Sequence, residues 1–163
     1  MTDAHRLRAP RHVDELFLYR LMRLASSARP LVVRLCEQQF GITRREWSVL
    51  GLLAQHEGLS PSALAERALL DRARASRVIG SLVGKGLLRR EQARGNRREV
   101  RLSLTERGRA CHAALLPQVA AINRELLSVL DEAELSAFDA ALQRLTVQAQ
   151  QMAEAAAAGE TPG

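Results

Sequence analysis

Apolar residues recur along this chain at two different spacings, and the change from one to the other divides it. Over residues 13–40, Leu16, Leu21, Leu24, Leu31 and Leu35 recur among few breakers, which predicts one long helix. Pro30 has no amide to donate, so a kink or local irregularity is expected there. Gly41 ends the segment. Thr43-Arg44-Arg45-Glu46 then has the pattern of a capping box, in which Thr and Glu side chains satisfy the free amides of a helix start. The helix it opens carries Trp47, Leu50 and Leu53 on one face and ends near Gly58. Ser60-Pro61 places a hydroxyl cap before a proline at the first helical position, and a short helix from Ser62 to Ala68 follows. Asp71 is a further cap. After it, Ala75, Val78, Ile79 and Leu82 recur at spacings of three and four as a buried stripe. Lys85-Gly86 closes that helix with a cation in the last turn and a glycine beyond it. Gly80 and Gly84 weaken it, so packing must hold it.

The period then falls to two. A strand starts at Leu88, Arg94-Gly95-Asn96-Arg97 makes a turn, and Val100, Leu102 and Leu104 alternate with Glu99, Arg101 and Ser103. This predicts a β-hairpin with a basic tip. Thr105 caps a helix to about Val129, interrupted by Pro117. Asp131-Glu132-Ala133-Glu134 is a second capping box, opening a last helix through about Ala158. Residues 1–12 and 159–163 read as flexible tails. The expected fold is mainly α with a small β-hairpin wing, a winged helix-turn-helix over 41–105. The flanking segments, 13–40 and 106–158, are long and amphipathic. Neither can bury its apolar face within so small a lobe, so both are expected to build a homodimer.

Charge sharpens this picture. The formal net charge is +6, but residues 61–109 hold 13 Lys and Arg against 5 Asp and Glu, while the rest of the chain holds 11 against 13. A bias towards arginine explains why Lys85 is the only lysine, but not why the cations cluster. A basic segment between near-neutral ones is the footprint of a polyanion. Removing the buried stripe from the second short helix leaves Arg72, Ala73, Arg74, Ser76, Arg77, Gly80 and Ser81 outward. Arginine grips guanine O6 and N7 with two parallel hydrogen bonds, serine reaches bases or phosphates, and small residues let a helix sit deep in the groove. Ser60 and Ser62 at the preceding helix start join this set. Arg94, Arg97 and Arg98 at the wing tip suit a narrow minor groove. The partner these residues predict is double-stranded DNA.

Other classes find less support. No apolar run of 18 or more exists to span a membrane, and the N-terminus leads into no secretory apolar region. Two cysteines far apart, Cys36 and Cys111, suit a reducing cytoplasm. His5, His12, His56 and His112 lack metal-ligand spacing, so neither metal nor cofactor is expected. Cys111-His112 are sequence neighbours that point in different directions on a helix, which argues against catalysis.

From Gly41 to Gly108 the chain resembles the MarR family of bacterial regulators. The resemblance rests on Gly41-Ile42-Thr43 with Trp47 and Leu50, Leu64-Ala65, Asp71 opening the second short helix, Leu82 with Lys85-Gly86-Leu87, and Leu104-Thr105-Glu106-Arg107-Gly108 after a basic hairpin. It implies a cytoplasmic regulator whose terminal helices intertwine in a triangular dimer and which places small anionic effectors between those helices and the reading head. The family wing usually carries aspartate two residues before its key arginine. Asn96 stands there before Arg98 and lacks the charge that would orient the guanidinium, so a looser wing is expected. Trp47 is then either a core aromatic or one wall of the effector pocket. Arg20, Arg23 and Ser27 share a helical face and either meet an effector carboxylate or form an exposed or dimer-facing stripe. The leading expectation is a repressor released from a pseudo-palindromic operator by a small ligand, with aromatic and heteroaromatic acids as the candidate class. The alternatives are a thiol-based redox regulator using Cys36 and Cys111, and a winged-helix protein or RNA interaction module.

Overall fold

The computed structural model describes residues 4–93 and 96–159, with side chains for residues 6–92 and 100–159. Its helices are α1 (Ala4–Arg8), α2 (Phe17–Phe40), α3 (Arg44–Gln55), α4 (Pro61–Arg67), α5 (Arg72–Gly84), α6 (Glu106–Leu127) and α7 (Glu132–Ala157). Strands β1 (Leu88–Ala93) and β2 (Asn96–Leu104) pair between α5 and α6.

Helix starts follow the caps. Thr43 accepts the Glu46 N–H at 3.1 Å while Glu46 accepts the Thr43 N–H at 2.6 Å. Ser60 accepts from the Ala63 N–H, and Asp71 from the Arg74 N–H. Asp131 and Glu134 close the second box with two bonds of 2.9 Å. Boundaries shift where a local conformation intervenes. The helix expected from residue 13 begins at Phe17, because Leu16 is extended at ψ 129° and separates it from a 3-10 turn at Val13–Glu15. Neither Pro30 nor Pro117 breaks its helix. Each proline removes one backbone hydrogen bond, and the turns on either side keep their own. α1 falls within the segment read as a flexible tail.

Between α4 and α5 the chain turns at Leu69, the only non-glycine residue at positive φ (+53°) among those described. An L-residue there carries strain of roughly 1–2 kcal/mol. The turn holds it with Leu69 N–H on Glu66 O and Leu70 N–H on Ala65 O. In the wing, Leu88 faces Leu104 and Gln92 faces Val100. The ladder reaches Asn96, which pairs with Ala93, so Asn96 and Arg97, expected in the turn, belong to β2. Arg94 and Gly95 lie outside the described residues. The wing is also tied inward, by Leu102 N–H on Leu59 O and Gly58 N–H on Leu102 O.

One core joins these parts. Leu50 and Leu53 of α3, Leu64 of α4, Ile79 and Leu82 of α5, and Leu102 and Leu104 of the wing are buried together. Leu35 and Cys36 of α2 and Leu115 of α6 belong to the same cluster. Burying a leucine or isoleucine side chain contributes about 1.5–3 kcal/mol, so the short α4 and α5 are held by this shared core. The first turn of α6 approaches the backbone closely: a Cβ on Gly108 would lie 2.1 Å from the Leu87 carbonyl oxygen. The chain divides into two compact units, Met1–Ile122 and Asn123–Gly163. The first includes α2 and most of α6, because they pack into the winged-helix core. In the second, α7 has no buried residue, and Phe138, Leu142, Leu145 and Met152 are exposed.

Candidate nucleic-acid interface

α5 buries Ala75, Ile79 and Leu82 and exposes Arg72, Ala73, Arg74, Ser76, Arg77, Gly80 and Ser81, the division that the stripe predicts except that Val78 is only half-buried. Arg74 Nε pairs with Asp71 at 3.1 Å, and both groups are more than half exposed. An exposed pair of this kind holds by about 0–1 kcal/mol, so Arg74 is released at little cost. Arg77 Nε reaches only the carbonyl of Ala73 in its own helix, at 3.4 Å.

Two clefts flank the helix. One, of about 660 Å³, brings together Ser60, Ser62, Arg72 and Ser76, all singled out from the sequence, with Arg90 of β1. The Ser60 and Ser62 hydroxyls are 3.0 Å apart, and Ser60 also caps α4. The other cleft, of about 590 Å³, is lined by Arg74 and Arg77 with Arg45 of α3. Arg90 and Arg45 were not among the sequence candidates. Arg90 sits in β1, of which the sequence pattern placed only the start at Leu88, and Arg45 was hidden in a motif read only as a helix cap. Arg94 and the side chains of Asn96, Arg97 and Arg98 lie outside the described residues.

Beneath the second cleft lies a clasp that the sequence pattern did not reveal. Glu46 is the one buried charged residue among those described, 3% exposed. Besides the Thr43 N–H, it accepts from Ser81 Oγ at 2.5 Å and from Lys85 Nζ at 2.8 Å. Lys85 Nζ also donates to Gly41 O at 2.9 Å. Ser81 is exposed, as expected, and its hydroxyl is nevertheless engaged by Glu46. Burial pushes the Glu46 carboxyl up, but the hydrogen bonds from Lys85, Ser81 and the Thr43 amide and the Lys85 charge outweigh it. The result lies below the usual carboxylate value. The start of α3 and the end of α5 are therefore fastened by a charged, fully bonded group.

Trp47 is partly buried and stacks on His112, with ring centroids 5.1 Å apart and planes at 21°. Burial lowers the His112 pKa, which leaves the imidazole neutral at neutral pH. The two rings line a cavity of about 410 Å³ with Gln55, Arg67 and Leu116. None of Arg20, Arg23 and Ser27 lines it. They stand exposed on α2, where Ser27 Oγ donates to its own helix at Arg23 O. Cys36 is fully buried and Cys111 partly so, and burial raises both thiol pKa values. Among the described residues no cluster of His, Cys, Asp and Glu could hold a metal ion. No single helix there is long and apolar enough to cross a membrane.

Two short helices, a tight turn and a two-stranded wing on one core define a winged helix-turn-helix, the architecture of DNA-binding transcription regulators. Residues 40–99 match the MarR family. No curated protein sequence matches the chain. Solved structures extend the likeness across most of the chain. A probable transcriptional regulator from Pseudomonas aeruginosa is 25% identical, covering 82% of this chain and 99% of its own, with a TM-score of 0.68. Wild-type apo MarR from E. coli is 22% identical over 80% of this chain and 97% of its own, with a TM-score of 0.69. BpsR of Bordetella bronchiseptica, described by the regulation of its DNA binding by 6-hydroxynicotinic acid, is 23% identical. That match covers 85% of this chain and 98% of BpsR, with a TM-score of 0.74. The fold is that of the MarR transcriptional regulators.

Proposed function

We propose that this chain is a homodimeric, sequence-specific duplex-DNA regulator, a bacterial cytoplasmic repressor released from its operator by a small anionic ligand. The observation that carries the reading is α5. It is fixed by a buried stripe and the Glu46 clasp, and it turns Arg72, Arg74, Ser76 and Arg77 outward between two arginine-lined clefts. In this account α5 enters the major groove, Arg74 and Arg77 read base edges, and Ser60, Ser62 and Arg72 meet backbone phosphate. The wing arginines Arg94, Arg97 and Arg98 reach the adjacent minor groove.

The DNA-binding domain is residues 41–105, and the dimer is built from 13–40 and 106–158. Leu18, Met22, Leu24 and Leu31 of α2, with the apolar residues of α7, are exposed in the single chain and need a partner surface. The ligand site is proposed at the Trp47 cavity. Arg67 supplies a cation there and the two rings supply apolar walls, features that suit a planar acid. BpsR, with its response to 6-hydroxynicotinic acid, is the precedent for a heteroaromatic acid. Arg20, Arg23 and Ser27 are then assigned to the exposed or dimer-facing stripe. The thiol alternative is weaker, because raised pKa values leave little of the reactive thiolate at neutral pH.

Binding of an operator and of random duplex by the Arg74→Ala, Arg77→Ala and Arg98→Ala variants tests the assignment. The first two are expected to lose discrimination, by about 1–3 kcal/mol each, and the third to weaken both duplexes alike. Equal weakening on both duplexes in all three variants would mean that α5 is not the reading helix. The same titrations with added 6-hydroxynicotinic acid, read also by Trp47 fluorescence, test release. A fluorescence response without loss of operator binding would contradict it, since a ligand acts only through different affinity for two states.

A further inference from the structure

The cleft between α3 and α5 gathers three guanidinium groups from two helices. Arg45 comes from the first turn of α3, and Arg74 and Arg77 from α5. All three are exposed. Three like charges converging on one concavity repel each other unless an anion lies among them. The cleft's own acid does not serve, because Glu46 is turned to Lys85, Ser81 and the Thr43 amide. Asp71 is engaged with Arg74 alone. Arg45 has no ion pair or hydrogen bond among the described residues, and Arg77 has only its weak bond to Ala73 O. The cleft therefore holds two guanidinium groups, of Arg45 and Arg77, with no ion-pair partner among the described residues, beside the Asp71-paired Arg74, and is a preformed seat for an anion.

We infer that this seat holds a phosphodiester of the duplex, with Arg45 as a backbone-contacting residue beside the reading helix. The inference rests on the proposal that α5 enters a major groove. A helix lying in that groove has a sugar-phosphate strand along its side, and the α3 side of α5 is where Arg45 stands. Guanidinium and phosphate meet through two parallel hydrogen bonds. The contact fixes register and orientation without reading sequence. It would also divide the work in the cleft: Arg45 anchors the strand, and Arg77 lies between backbone and bases.

The test is salt-dependent binding by the full chain and its Arg45→Ala variant, on the operator selected from random duplexes and on a random duplex of equal length. Arg45 is exposed and the Thr43–Glu46 capping box does not involve its side chain, so folding is preserved. The variant is expected to bind both duplexes more weakly by one common factor, on the order of tenfold. The slope of log affinity against log salt is expected to fall by about one per subunit. Arg45→Lys, which keeps the charge, should restore most of the slope. Unchanged affinity and slope in Arg45→Ala overturn the inference, as does a loss confined to the operator, which would make Arg45 a base reader. Inorganic phosphate separates the other source of the same chemistry. Its saturable binding to the DNA-free chain at micromolar concentration, lost in Arg45→Ala, would assign the seat to free phosphate instead. A wild-type chain that binds no duplex removes the functional proposal together with this one.

Discussion

Gly108→Ala is expected to destabilise the protein by about 3 kcal/mol, at the upper end of the cost of overfilling a packed site. The added Cβ would stand 2.1 Å from Leu87 O and 3.0 Å from Leu87 C. Those are backbone atoms, so no side-chain rotation relieves the contact. The neighbourhood is also tied down. Thr105 N–H bonds Leu87 O at 3.1 Å, Thr105 Oγ1 donates to Gly86 O at 2.7 Å, and the Gly108 N–H bonds Thr105 Oγ1 at 3.0 Å. Moving α6 away from Leu87 would break these bonds and lift Leu115 from the core. The gain in helix propensity from glycine to alanine, about 1 kcal/mol, opposes only part of this. A fall in melting temperature of roughly 6–12 °C at fixed protein concentration follows from the size of the chain. Gly84→Ala is the control. Nothing lies within 4 Å of its added Cβ, so the same change in α5 should stabilise by up to about 1 kcal/mol. A Gly108→Ala protein that melts at or above the wild type would contradict the close approach of α6 to Leu87.

Lys85→Met is expected to cost about 1–3 kcal/mol at neutral pH. Removing one partner of a buried ion pair leaves an uncompensated charge, and the half-exposed Lys85 moderates the effect. The pH dependence is more diagnostic. The Glu46 pKa is held below its ordinary value of 4.5 in the folded protein. Its stabilising contribution is therefore complete above pH 4.5 and is lost as pH falls through the lower folded-state value. Without Lys85 the carboxyl is still buried and its pKa rises. The stability gap between wild type and Lys85→Met should be widest at neutral pH and close in acid, where Glu46 is protonated in both. Glu46→Gln should flatten the acid limb of the wild-type stability profile. Urea unfolding across this pH range checks both, and a gap that stays constant into acid would remove the clasp from the account. The clasp also fixes the end of α5 to the start of α3. Its loss should therefore weaken discrimination between duplexes under conditions where the variant remains folded.

Much of the fold was legible because its signals are local. Thr43, Ser60, Asp71 and Asp131 cap helices within three residues of themselves, and the Ala75, Ile79 and Leu82 stripe lies within a single helix. The wing was legible as a change of period. What the pattern hid depends on residues far apart in the chain. Glu46 and Lys85 are 39 positions apart and meet only after α3 and α5 pack. Arg45 and Arg90 became candidates when the clefts showed which outward residues of neighbouring elements converge. Arg20, Arg23 and Ser27 share a helical face as expected, but the cavity at Trp47 takes its cation from Arg67. Helical spacing says which residues share a side, and not what that side meets. Gly108 belonged to a recognisable signature, yet its physical reason, the Leu87 carbonyl, lies in another element.

Selection of binding sites from random duplexes tests the central claim most directly. Two reading helices related by a two-fold axis must meet one face of the duplex. The selected sites should therefore be imperfect palindromes with half-sites about 10 bp apart, centre to centre. The wings then fall over the flanking minor grooves, where A·T-rich sequence favours inserted arginine. Asn96 before Arg98 should keep that flank preference slight. Recovery of an imperfect palindrome at this spacing is the predicted result. A single asymmetric half-site would contradict the dimeric reading, and no enrichment of any sequence would contradict the claim that this chain reads DNA.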